Sequence, residues 1–118
     1  MIRLNPEFDQ GGGAAAEPLF APGDLVLHRR YGYRGVVVDL TPTFSGSDEW
    51  YEKNQTKPDK DQPWYHVLVD GGFQTTYAAQ SSLIMDDLAA PITHPLVAMF
   101  FDGFEDGRYL RNEMPWDL

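Results

Sequence analysis

Pro63-Trp64-Tyr65-His66-Val67-Leu68-Val69-Asp70-Gly71-Gly72-Phe73-Gln74-Thr75-Thr76-Tyr77 is the stretch whose reading decides the fold. Its first half is the strongest strand pattern in the chain. A period of two places Trp64, His66, Leu68 and Asp70 on one face and Tyr65, Val67 and Val69 on the other. Gly71-Gly72 predicts a two-residue hairpin turn of the primed type. Phe73 to Tyr77 then returns as the partner strand, with Phe73, Thr75 and Tyr77 on one face.

The same grammar extends upstream. Ala21-Pro22-Gly23-Asp24 is a turn signal, and Leu25 to His28 reads as a short strand. Tyr31-Gly32-Tyr33 predicts a second turn in which Gly32 supplies a positive φ. Gly35 to Leu40 is rich in β-branched residues and predicts a buried strand, which Thr41-Pro42-Thr43 ends because proline cannot donate to a ladder. Downstream, Ser82 to Met85 adds a last short strand. The pattern predicts a mainly all-β fold, a small SH3-like curled sheet or barrel of about five short strands.

Three stretches flank or interrupt this unit. Residues 1–18 read as a flexible tail, since Gly11 to Ala16 has nothing to bury. Residues 44–62 are a long polar loop punctuated by Phe44, Trp50 and Tyr51, and loops of that length are often functional or mobile. In the C-terminal third, Thr93 as cap and Pro95 in the first turn predict a short helix. Leu96 to Phe101 is too apolar to stay exposed, and Tyr109, Leu110, Met114 and Trp116 follow with little regular pattern. The expected division is a tail over 1–18, a β-domain over 19–90, and an extension over 91–118 that packs on the domain or on a partner.

Composition narrows the function classes. The 118 residues are one domain's worth, with 42% hydrophobic and 14% aromatic residues, which suits a globular chain. The chain has no cysteine, which excludes disulfides, thiolate metal sites and cysteine nucleophiles. No apolar run approaches the roughly 18 residues that span a bilayer, so a cytoplasmic protein with no membrane partner is expected. The net charge of −9 repels polyanions at long range, yet Arg29, Arg30 and Arg34 cluster around Tyr31 and Tyr33.

That cluster is the first candidate site. Arginine forks match phosphate oxygens and guanine edges, and the interleaved tyrosines offer stacking faces. The bland alternative is a solvated turn whose arginines pair with some of the 18 acidic residues. His28 and His66, with Asp39 or Asp70, could form an acid/base pair or a metal site, but the spacing is no metal signature and all three histidines read as structural, so no metal or cofactor is expected. No serine sits in a nucleophile elbow and the glycines lack the P-loop lysine. Asp86-Asp87 reads as a turn. A non-enzymatic binding module is therefore the expected class. Trp64, Tyr65 and Tyr77 are expected in the core rather than on a peptide platform. Leu96, Phe100 and Phe101, with Trp50 and Tyr51 of the long loop, are the candidates for contact with a protein partner or a second copy, the alternative for Leu96 to Phe101 being a helix packed on the sheet.

The residues also carry a resemblance. Phe20-x-x-Gly23-Asp24-x-Val26-x-His28-Arg29-x-Tyr31-Gly32-Tyr33-x-Gly35-Val36-Val37-Val38-Asp39 resembles the opening motif of the YccV-like family (HspQ, also called hemimethylated-DNA-binding proteins). Thr41-Pro42 sits where that family has its strand-ending proline. Gln62 to Asp70 resembles the second block, and Tyr77-Ala78-Ala79-Gln80-x-x-Leu83 the closing one. The resemblance implies a compact β-barrel-like fold and two activities: binding of hemimethylated DNA, and an adaptor role in which the protein helps an ATP-dependent protease engage its substrates under heat stress.

Overall fold

Strand β3, Trp64–Val69, has neighbours on both edges and packing on both faces, and the rest of the molecule is arranged around it. The computed structural model describes residues 17–54 and 56–112. Most of the expected N-terminal tail therefore lies outside the described residues, as do Met114 and Trp116.

β1 (Leu25–His28), β2 (Arg34–Thr41), β3, β4 (Thr75–Ala79) and β5 (Leu83–Met85) form one antiparallel sheet in the order β4-β3-β2-β1-β5. The sheet is open: β4 and β5 are its two edges. It nevertheless curls, because the Tyr33 hydroxyl just before β2 reaches Thr76 on β4 at 2.8 Å, past β3. Alternation along β3 sorts the core in two. Tyr65 and Val67 pack with Phe20, Val26, Val37, Ala78 and Leu83 on one face. Leu68 packs with Leu25, Val36 and Val38 on the other. A bulge at Val38 adds one residue to β2, so that Asp39 faces His66 and Leu40 faces Tyr65.

The second face is covered by the C-terminal segment. Helix α2 (Val97–Phe100) leads directly into the hairpin of β6 (Phe101–Glu105) and β7 (Arg108–Arg111). Ile92, Phe100, Phe101 and Tyr109 join the Leu68 cluster, and the Tyr109 amide donates to the Gly23 carbonyl at 2.9 Å. Phe100 and Phe101 are 5% and 4% exposed, so their side chains are core and offer no surface to a partner. Leu96 is partly buried against the same cluster.

The structure corrects four local expectations. The β3–β4 connection is a four-residue loop, Asp70 to Phe73, because the Val69 amide bonds the Gln74 carbonyl; Phe73 lies outside β4 and is 87% exposed. Primed geometry occurs instead at Asp106-Gly107, where φ is 53° and 79° between the paired Glu105 and Arg108. Thr93 does not cap α2. The first turn is fixed by His94, whose Nδ1 accepts the Leu96 amide at 3.1 Å while Nε2 donates to the Gln74 carbonyl at 3.0 Å. Finally, the 44–62 segment holds helix α1 (Asp48–Lys53). Ser47 caps it by accepting the Trp50 amide at 3.0 Å, and Asp48 and Glu49 complement its first turn.

Candidate nucleic-acid interface

β1 ends at His28 because the chain reverses there. The Gly32 amide donates to the His28 carbonyl and the His28 amide to the Tyr33 carbonyl, both at 2.9 Å, with Gly32 at φ 74°. Inside this turn, His28 Nδ1 accepts the amides of Arg30 and Tyr31 at 3.1 Å each. An acceptor Nδ1 carries no proton, so the neutral ring holds its hydrogen on Nε2. The ring stacks on Tyr31 at 4.7 Å and lies 5.0 Å from Tyr33. Burial, helped by the Arg30 charge, pushes the His28 pKa below the ordinary 6.5.

This has a consequence for stability. The unfolded chain protonates His28 below about pH 6.5, whereas the folded chain resists. Stability from this residue is therefore full above that value and is lost as pH falls towards the lowered folded pKa. His28→Asn keeps a side-chain acceptor for the turn but cannot titrate. Urea midpoints measured from about pH 8 to about pH 5 should show the parent losing more stability than His28→Asn. A constant difference between the two proteins across that range would remove His28 as the source.

The three arginines do not form one cluster. Arg29 and Arg30 have exposed side chains, and among the described residues no carboxylate pairs with either. The Arg30 guanidinium lies 5.9 Å from the Tyr31 ring centre, and Tyr31 is 53% exposed. Arg34, at the start of β2, turns away. Its Nε donates to Asp86 at 2.7 Å, Nη1 to Asp70 at 3.3 Å, and Nη2 to the Ala90 carbonyl at 2.6 Å. For Arg34 the structure shows the paired arrangement, one that braces the loops beneath the sheet.

A cavity of about 380 Å³ opens beside the turn. His28, Tyr31 and Tyr33 form one side. Trp50, Trp64, His66 and Tyr77 form another, with His66 stacked on Tyr77 at 4.6 Å. Residues Thr75 to Ala79 of β4 line the space along their whole length. Val69 and Gln74, and Pro63 and Gln80, are hydrogen-bonded pairs of the ladder, so the alternate residues Thr75, Tyr77 and Ala79 turn their backbone N–H and C=O outward from the sheet edge. Asn54, Thr56 and Ser82 add polar groups.

Helix α1 supplies the outer aromatic wall. Phe44 lies 4.9 Å from Trp64, 5.4 Å from Tyr51 and 5.9 Å from Trp50. The Tyr51 hydroxyl bonds the Pro58 carbonyl and Lys60 lies over its ring, so Tyr51 holds the loop together. Trp50 is 40% exposed and faces the cavity. Trp64 and Tyr65 are buried as expected of core residues, whereas Tyr77, expected with them, is half-buried and lines the cavity; the Tyr65 hydroxyl joins Gln80, which also holds Leu19. The structure brings His28 and His66 to one cavity, but no group of three or more potential ligands that could hold a metal is found among the described residues.

The family model described as "Hemimethylated DNA-binding protein YccV like" matches residues 18–108. The match thus runs past Leu83 and through most of the C-terminal hairpin. Among curated proteins, F-box only protein 21 of Homo sapiens, of Pongo abelii and of Mus musculus are each 32% identical over 96 residues. That region covers 79% of this chain but 15% of each relative, so the chain corresponds to a small part of those longer proteins.

Proposed function

This chain belongs to the family of YccV-like hemimethylated-DNA-binding proteins, and from that premise we propose that it binds hemimethylated duplex DNA through the Arg29–Tyr33 turn. The observation that carries this reading is the state of the two arginines. In a chain of net charge −9, Arg34, Lys60 and Arg108 sit on carboxylates, while Arg29 and Arg30 stand exposed beside an aromatic cavity. Two arginines supply phosphate contacts that position the duplex, and the adjoining aromatic surface is where base identity and methylation are read.

Fluorescence anisotropy of labelled hemimethylated, fully methylated and unmethylated duplexes tests it. We expect the hemimethylated duplex to bind tightest. Arg29→Ala with Arg30→Ala should lose most of the affinity, and the slope of log K against log salt should shrink by about two, one for each lost phosphate contact. Parent-like binding by the double variant would place the site elsewhere.

A second reading, as an adaptor for an ATP-dependent protease and its substrates, draws support from a different surface. Ile84, Met85 and Leu88 expose apolar side chains on and just after β5. The curated relatives carry the matched region as a minor share of a long chain, as an interaction module would be carried. Partner or self-association through these residues would barely respond to salt, which separates it from phosphate-driven binding.

A further inference from the structure

We propose that the cavity between the Arg29–Tyr33 turn and helix α1 holds a single nucleobase, the methylated one, rotated out of the duplex; this rests on the DNA-binding reading above. Groove readers insert a helix or a two-stranded ribbon into the major groove. Here, among the described residues, β1 and β2 are interior strands of the sheet, and the separate β6–β7 ribbon packs Phe101 and Tyr109 on the core and exposes Asp102, Glu105 and Asp106, which a phosphate backbone repels. α1 and α2 are six and four residues long, and the apolar face of α2 is already packed on the core. What adjoins the unpaired arginines is concave instead.

The cavity suits one base. At about 380 Å³ it lies at the small end of the range for compact ligands, about 300–1,000 Å³, far too small for a base pair and its backbones. Its lining is rich in aromatic rings: the His66–Tyr77 stack and the exposed ring of Trp50, with Tyr31 and Tyr33 from the turn. Base-on-aromatic stacking tolerates any base, so the ring is held by shape while its edge is read by hydrogen bonds. The outward N–H and C=O groups of Thr75, Tyr77 and Ala79 offer donors and acceptors side by side along β4, which is what the heteroatom edge of a base requires. A methyl group on the enclosed ring is taken out of water among aromatic side chains, and burying it favours the methylated base by about four-fold. Arg29 and Arg30 lie in the chain between two lining residues, His28 and Tyr31, so they can hold the phosphates flanking the extruded nucleotide.

Extrusion costs the pairing and stacking of the base, and a mismatch removes part of that cost. The test uses duplexes with one methylated adenine and, in a second series, one methylated cytosine. We expect a mismatch opposite the methylated base to tighten binding by about five-fold or more, and the same mismatch placed several base pairs away to do nothing. Trp50→Ala should abolish the gain from the mismatch and leave the salt slope unchanged; Tyr31→Ala, also at an exposed ring, should act the same way if Trp50→Ala fails to fold. If the hemimethylated duplex binds but the mismatch has no effect, base extrusion is overturned and the DNA-binding reading survives. If no duplex of any methylation state binds, both are overturned.

Discussion

Gly35→Ala is expected to lower the melting temperature by roughly 10 °C, from a loss of about 3 kcal/mol. Gly35 sits in β2 between Val26 of β1 and Val69 of β3. A Cβ there would lie 2.4 Å from Val67 Cγ1 and 2.5 Å from the Leu68 carbonyl oxygen. Neither atom can yield easily. Val67 is fully buried in the core, and the Leu68 carbonyl belongs to the central strand, so relief requires β2 and β3 to part. Overpacking of this kind costs about 1–3 kcal/mol and at times more, against a total stability of about 5–15 kcal/mol. Gly72→Ala is the control: no atom lies within 4 Å of its Cβ, and its effect should stay within about 0.5 kcal/mol. Thermal unfolding followed by circular dichroism measures both. If Gly35→Ala melts with the parent, the β2–β3 contact is looser than described.

The glycine also shows what a sequence can and cannot convey. Gly35 reads as the first residue of a β-branched run, and nothing local says that a neighbouring strand passes within van der Waals contact of it. Period-two alternation made β3 and its two faces legible, and Gly32 was legible from turn chemistry, because both are consequences of short-range geometry. The Gly71-Gly72 turn failed for a long-range reason. Asp70 accepts the Thr93 amide through its side chain and donates its own amide to the Arg34 carbonyl, while the Gly71 amide bonds the Thr93 carbonyl. Those contacts to distant segments hold the loop open at four residues. Conversely, Asp106-Gly107 is a primed-turn dipeptide, but its strands are short and lack clean alternation, so the local pattern does not single it out from Asp102-Gly103.

At the candidate site, the opening family block contains the 28–33 turn, and the exposed pair Arg29 and Arg30 lies within the expected set. The cavity itself was not legible. It is assembled from the 28–33 turn, β3, β4 and a six-residue helix inside a polar loop. The local clues to that helix were Ser47 ahead of Asp48 and Glu49, with Lys53 at the end; six residues are too few for an apolar period to emerge. Arg34 lies near Arg29 and Arg30 in the chain, but strand β2 begins at Arg34, and its hydrogen bonds turn it towards Asp70 and Asp86.

That division yields the second large effect. Arg34→Ala is expected to destabilise the fold by about 2–4 kcal/mol while leaving the salt dependence of DNA binding unchanged. The Arg34 side chain is 17% exposed and that of Asp86 only 8%, so the pair is mostly shielded from water and each charge needs its partner. Removing the cation leaves the Asp86 and Asp70 carboxylates without their counter-charge, and it leaves the Ala90 carbonyl without its donor. The damage should extend along the chain. The 86–93 connection, which Arg34 ties to the sheet, carries Ile92 into the core beneath Tyr109. Arg34→Lys should recover only part of the loss, because an ammonium cannot present the fork that meets both carboxylates and the carbonyl. Urea unfolding of the parent, Arg34→Ala and Arg34→Lys measures the stability terms; anisotropy at several salt concentrations, under conditions where each variant is folded, measures binding. The two arginine classes then separate on opposite axes, Arg29 and Arg30 on affinity and Arg34 on stability. A stable Arg34→Ala whose salt slope shrinks by about one would return Arg34 to the DNA surface and make its carboxylate partners a switch rather than a brace.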